Sequence, residues 1–297
     1  MKIAHISDLH FNSLYKKYNI SQTEKLLALA VENEVDHVVI TGDISDNAEE
    51  KDFRTFRRML KDFGLFKSQK TSVVVGNHDI FGGVFTAMDI VNFPSKCLAT
   101  NYAEKLDLFT NQFQELFLDT IRISETQIFP YVKELRDVVF LGLNSIPFYS
   151  KLNNPFASNG RIDSLQLENA NKLMSVLDSK ISKTKRRIAL VHHHFYRKKE
   201  KASASNSPLW DRVESFSMKL RGKKKVIKFL GKHGFDLVLH GHSHEIREYR
   251  RNDIQFLNAG GCIENRDNDS RFFIIDTENP EYLIDLKNAK SGMAIHA

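Results

Sequence analysis

The chain has 297 residues, 41% of them hydrophobic and 27% charged, with a net charge of +6 and a pI near 9.1. That profile excludes a disordered or fibrous chain, and no stretch approaches the roughly 18 to 20 unbroken apolar residues of a membrane span. Two distant cysteines, Cys97 and Cys262, are too few for a disulfide framework, and no charged-then-apolar leader precedes the first strand, so a reducing cytoplasm is expected.

Lys2–Ile6 reads as a strand, with Asp8 and His10 following where it should end. In extended backbone, residues i and i+2 point to the same side, so this carboxylate and imidazole can converge on one cation. Ser21-Gln22-Thr23-Glu24 has the form of a capping box and predicts a helix with Leu26, Leu27, Ala30 and Val31 on its buried face. The apolar run 37–41 is a buried parallel strand and ends in Gly42-Asp43-Ile44-Ser45-Asp46. A second helix is expected from about Asn47, with Phe53, Phe56, Leu60 and Phe63 as its stripe and Gly64 as its C-terminal cap. Residues 72–75 form a third strand, ending in Gly76-Asn77-His78-Asp79. In open α/β sheets ligands bind beyond the carboxyl ends of strands, and here three successive ends carry Asp, Asn or His.

From about 81 to 135 the pattern changes. Tyr102, Leu106, Phe109, Phe113, Leu116 and Phe117 recur at helical spacing, which predicts a helical insertion or lid; the same residues read first as ordinary core, and both readings hold if the insertion packs beside the site. A strand over 138–144 follows, then an Asn-, Pro- and Ser-rich loop, then a helix capped by Asp163, with Gln166 three residues on. The strand 187–191 runs into His192-His193-His194. Residues 197–209 are expected to form a mobile loop, with Trp210 anchoring its far end. A helix ending at Gly234 leads into the strand 236–239, which delivers His240-Gly241-His242-Ser243-His244. Antiparallel strands are expected over 254–257, 271–276 and 282–286, and the tail from Lys290 is expected to fray.

Each strand-end group alone is weak. Together, the motifs Asp8-x-His10, Gly42-Asp43-x-x-Asp46, Gly76-Asn77-His78-Asp79, the triple histidine and Gly241-His242-x-His244 resemble the calcineurin-like metallophosphoesterase superfamily over about residues 2 to 265. The resemblance implies one domain over 1–297, an α/β four-layer αββα sandwich of two mixed sheets flanked by helices. It implies a first metal held by Asp8, His10 and His244, a second held by Asn77, His192 and His242, and Asp43 bridging the two. His193 is the alternate to His192, while His194 is expected to face outward and His5 and His240 to be packed neighbours. Mixed oxygen and imidazole ligands suit Mn, Fe, Zn or Ni.

The activity implied is hydrolysis of a phosphodiester, such as a cyclic nucleotide, by a metal-bridging hydroxide. His78 would assist the leaving oxygen, Asp46 would orient His78, and Asp79 would be structural. The bacterial class III cyclic-nucleotide phosphodiesterase branch is the most similar in length and motif form. A nuclease of the same superfamily is the alternative, supported by basic runs at 183–187, 197–201 and 221–225 but lacking an added DNA-binding segment. A non-catalytic scaffold is disfavoured because every ligand position is filled. The expected partner is a small phosphorylated substrate, with no membrane.

Overall fold

The computed structural model describes residues 1–13, 15–84, 87–178, 185–196, 218–263, 270–278 and 285–289. The expected loop at 197–209, Trp210 and the tail from Lys290 lie outside them. Two mixed sheets dominate. The first contains β1 (Lys2–Ile6), β2 (His37–Ile40), β3 (Thr71–Val73), β13 (Ser270–Asp276) and β14 (Asp285–Ala289), in the order β14-β13-β1-β2-β3. Its β1, β2 and β3 are mutually parallel, whereas β13 pairs antiparallel with β1.

The second sheet has the order β11-β12-β10-β8-β6-β5-β4. It comprises β4 (Thr120–Arg122), β5 (Tyr131–Glu134), β6 (Val138–Gly142), β8 (Arg186–Leu190), β10 (Leu237–His240), β11 (Ile246–Arg251) and β12 (Ile254–Ala259). Strands β6, β8, β10 and β12 are parallel, and the edges are antiparallel. A short parallel pair, β7 (Gly160–Arg161) and β9 (Leu220–Arg221), lies outside both sheets.

The layering follows from side-chain alternation. Val138 and Phe140 of β6 join a core shared with Ile3, Val38 and Ile40 of the first sheet, while Val139 and Leu141 join a separate core on the other face. A strand buried on both faces must lie between two layers. The outer core is closed by Leu173 and Leu177 of α6 (Ser164–Asp178) and by Val226 and Leu230 of α7 (Lys223–Lys232). On the far side, α1 (Lys17–Glu32) and α2 (Glu50–Asp62) contribute Leu26, Leu27, Phe53, Phe56 and Leu60. Polar contacts also cross the sandwich. The Tyr131 hydroxyl donates to the Val73 carbonyl at 3.0 Å, and Lys133 Nζ donates to the carbonyls of Ser68, Thr71 and Leu116 at 2.8, 2.7 and 2.9 Å.

Several expectations need correction. The helix α1 starts at Lys17, a turn before Ser21, so Ser21 and Glu24 form no capping box, and the Ser21 hydroxyl donates to the Tyr18 carbonyl at 2.9 Å instead. Buried Asn19 explains the early start, because its side chain donates to the Leu9 carbonyl at 3.0 Å and ties that turn to the end of β1. Val31 is 45% exposed rather than core. Helix α2 begins at Glu50, not near Asn47.

The segment 81–135 is helical only in part. Helices α4 (Ala87–Ala99) and α5 (Tyr102–Gln112) and a 3-10 turn at Gln114–Phe117 are followed by β4 and β5, which extend the second sheet. Its Phe109, Phe113, Leu116 and Phe117 belong to the main core, in line with the core reading of that stretch. Among the C-terminal strands, β12 is parallel to β10 rather than part of an all-antiparallel set, and β11 was not foreseen.

Candidate metal centre

The loops after β1, β2, β3, β8 and β10 meet at one edge of the sandwich. Their backbones are stitched together: Asp8 N–H donates to the Gly42 carbonyl at 3.1 Å, His10 N–H to the Asp43 carbonyl at 2.9 Å and Gly241 N–H to the His192 carbonyl at 3.0 Å. Asp8, His10, Asp43, His242 and His244 all have positive φ, between 45° and 75°, making up half of the ten non-glycine residues with that conformation among the described residues. Left-handed backbone at non-glycine positions costs of order 1–3 kcal/mol each, and such strain concentrates at functional sites. Glycines permit the close approach, since a Cβ on Gly76 would collide with the Asp43 carboxylate and one on Gly241 with Ser7 and Asp8.

Two groups of donor atoms draw on the expected ligands, one from Asp8, His10 and His244 and the other from Asp43, His192 and His242, and a third, from His10, Asp46 and His78, shares His10 with the first. In the second, the tautomers can be read from the surroundings. His192 Nδ1 donates to the Thr41 carbonyl at 2.8 Å and His242 Nε2 to the Ser158 carbonyl at 2.9 Å, leaving His192 Nε2 and His242 Nδ1 as lone pairs. These atoms lie 3.1 Å apart, and His192 Nε2 is 3.0 Å from Asn77 Oδ1 and 3.3 Å from Asp43 Oδ2. Four acceptor atoms facing one point repel one another unless a cation lies between them. Ligands about 2.0–2.2 Å from one ion are themselves roughly 3–3.5 Å apart, so this donor set fits a metal.

In the first group, His10 Nε2 is 3.9 Å from Asp8 Oδ1 and 4.0 Å from Asp43 Oδ2, and His244 Nε2 is 4.0 Å from Asp8 Oδ1. The buried His10 Nε2 has no hydrogen-bond partner among the described residues, although it faces two carboxylates. That orphaned lone pair also fits a cation. Asp43 Oδ2 stands between the groups, facing His10 on one side and His192 on the other.

Burial alone would lower the His192 pKa, but the Asp43 charge pushes it up to about 9, so with only protein groups around it His192 favours a proton on Nε2, and that proton must leave before the nitrogen can bind a cation. His78 is also pushed up to about 9 against the effect of burial, by Asp43 and then by Asp46. Asp46 Oδ1 lies 3.4 Å from His78 Nδ1 and 3.2 Å from His10 Nδ1, and Lys16 Nζ is 3.4 Å from Asp46 Oδ2. Asp46 therefore contacts two histidines, not only the expected one.

The triple histidine divides by contact. His192 faces the donor cluster, while His193 is buried with its Nδ1 2.8 Å from the Ser145 hydroxyl. His194 is not outward-facing as expected: it is 3% exposed and stacks on Tyr196 at 4.7 Å. His5 and His240 are packed as expected, beside the Thr41 hydroxyl at 3.0 Å and the Tyr249 hydroxyl at 2.9 Å. Asp79 accepts from Ser45 N–H and Gly76 N–H, each at 2.9 Å, bracing the loops of Asp43 and Asn77. Sequence reasoning missed the carbonyls of Thr41 and Ser158, the Ser145 hydroxyl and Lys16, because main-chain acceptors and a lone Ser or Lys leave no signature in spacing.

A sandwich of two mixed sheets carrying two clustered His/Asp donor groups defines a metallophosphoesterase type of architecture. The family model for calcineurin-like phosphoesterases matches residues 1–245, and the chain belongs to that family of hydrolases. No curated protein matches its sequence. Solved structures share the fold. A dimetal phosphatase from Danio rerio superposes with a TM-score of 0.59 at 13% identity, covering 97% of this chain and 95% of that one. A purple acid phosphatase from yellow lupin (Lupinus luteus) seeds gives 0.58 at 12% identity, over 99% of this chain and 52% of that one. No helix among the described residues is long and apolar enough to cross a membrane.

Proposed function

We propose that the chain is a dinuclear metal-dependent phosphodiesterase acting on a small phosphodiester in a reducing cytoplasm. The observation that supports it best is the position of Asp43 Oδ2, 3.3 Å from His192 Nε2 and 4.0 Å from His10 Nε2, where one carboxylate can serve both donor groups. In this reading Asp8, His10 and His244 hold one cation, Asn77, His192 and His242 the other, and Asp43 bridges. The set of hard oxygens and imidazoles suits Mn, Fe, Zn or Ni. Two such cations, when bound, neutralise phosphate oxygens and make hydroxide available near neutral pH.

The chain's own groups supply the rest. The Asp43 carboxylate is oriented by His78 N–H, which donates to its Oδ1 at 2.8 Å. His78 is about a quarter exposed and carries a proton favoured by Asp43 and Asp46, so it can protonate the departing alkoxide. Asp46 keeps the His78 ring aimed and its charged form favoured. Two free, buried cysteines accord with a reducing compartment.

The test is a substrate panel with protein reconstituted separately with Mn, Fe, Zn and Ni. Bis(p-nitrophenyl) phosphate, p-nitrophenyl phosphate and single-stranded DNA represent diesters, monoesters and nucleic acid. The expected result is chelator-sensitive turnover with the highest kcat/KM on the diester. Preference for the monoester or for DNA contradicts the proposal.

A further inference from the structure

The edge that carries the metal centre also carries a cavity of about 590 Å³ beyond the end of β6, lined by Tyr102, Ile128, Phe129, Phe148, Arg161 and Leu165 among others. Its size falls within the roughly 300–1,000 Å³ of small-molecule sites. Three of its polar residues are engaged with one another, and Asp107 and Asp163 add two carboxylates to the lining. Asn144 N–H donates to Gln166 Oε1 and Gln166 Nε2 to the Asn144 carbonyl, both at 2.8 Å, and Asn144 Nδ2 donates to the Tyr102 hydroxyl at 2.9 Å. These groups stiffen the floor and are engaged with one another.

Two wall groups are different. Phe148 is 74% exposed, with its ring against Tyr102 at 4.6 Å. Arg161 lines this cavity and an adjoining one of about 230 Å³ that it shares with Arg221, and it has no carboxylate partner among the described residues. An open aromatic face beside an unpaired guanidinium suits a planar ring with electronegative atoms on its edge, stacked on the one and hydrogen-bonded to the other.

The cavity walls are physically joined to the metal centre. Ser145, next to Asn144, holds His193 at 2.8 Å, and Gly160, next to Arg161, packs so closely on the His193 ring that a Cβ would collide with it. Two residues before Gly160, the Ser158 carbonyl accepts from His242 at 2.9 Å. We propose that this cavity is the specificity pocket of the phosphoesterase centre, and that Phe148 and Arg161 select phosphoesters whose alcohol carries a planar heteroaromatic ring. The proposal rests on the phosphoesterase reading above and deepens it.

The test uses the full-length, metal-reconstituted protein and two diesters with one leaving group, thymidine 5′-p-nitrophenyl phosphate and methyl p-nitrophenyl phosphate. Wild type should favour the thymidine ester in kcat/KM severalfold, up to about tenfold, on the scale of one good stacking contact. Phe148→Leu, which keeps apolar bulk without the ring, should bring the ratio near one, and Arg161→Gln should lower it severalfold. A second arm reads binding of thymidine alone by saturation-transfer NMR, with the signal expected in wild type and reduced in Phe148→Leu. A ratio near one in wild type, a ratio unchanged by Phe148→Leu, or a thymidine signal indifferent to Phe148 overturns the proposal. If neither ester is hydrolysed while thymidine binding still depends on Phe148, the pocket stands and the phosphoesterase reading falls.

Discussion

The backbone N–H of His242 lies 3.0 Å from each carboxylate oxygen of Asp8, across 234 residues of sequence. Asp8 comes from the first sheet and His242 from the second, so this contact joins the two halves of the sandwich at the candidate centre. A carboxylate held in this way by main chain is pre-oriented before any ligand arrives. Gly241 makes the approach possible.

Gly241→Ala should therefore damage the first donor group. The added methyl would collide with Ser7 Oγ and Asp8 Oδ2, both in packed surroundings. The expected outcome is a lower melting temperature together with a loss of metal affinity, measured by thermal scanning calorimetry and elemental analysis. A variant with native stability and full metal content would refute the close-approach argument.

Removing His78 should separate chemistry from metal binding. His78→Ala is expected to lower kcat by roughly 10²-fold, the scale of one general acid, while the metal content stays at the wild-type level. Asp46→Asn should also lower kcat and, because Asp46 lies 3.2 Å from His10 Nδ1, should weaken metal retention as well. Equal effects of the two substitutions on metal content would contradict this division of labour.

Lys133 gives a prediction about stability. Its ammonium is buried in β5 and donates to three carbonyls, and burial pulls its pKa down to about 7. In the unfolded chain a lysine keeps a pKa near 10.4. Between those values the unfolded state binds more protons than the folded one, so this group makes the unfolding free energy rise with pH from about 7 to about 10. Lys133→Met should cost about 3 kcal/mol, since it strands three buried carbonyls, and should flatten that rise. Denaturant titrations of both proteins across this pH window provide the measurement, and identical slopes would rule out the assignment.

The candidate centre was legible because each donor follows a short apolar run. A buried strand that stops at Asp, Asn or His marks both its own end and the chemistry placed there, as at Ile40 before Asp43 and Leu239 before His242. The facing of the two sheets came from resemblance, since nothing in β6 says which layer covers Phe140 and which covers Leu141. Strand β5 escaped notice because Lys133 and Glu134 look like surface, although Lys133 is 1% exposed. A lysine whose partners are carbonyls at positions 68, 71 and 116 carries no local sign of burial. The helix start at Lys17 was hidden for a similar reason, as the contact from Asn19 to Leu9 outweighs the Ser21–Glu24 pattern.

The central claim is that two cations share Asp43. Elemental analysis of the purified, metal-reconstituted protein, wild type beside Asp43→Asn, tests it most directly. The account predicts two metal ions per wild-type chain, with loss of both metal and bis(p-nitrophenyl) phosphate hydrolysis in the variant, because one residue serves both donor groups. An Asp43→Asn protein that still holds two ions and turns over the diester at the wild-type rate would contradict it.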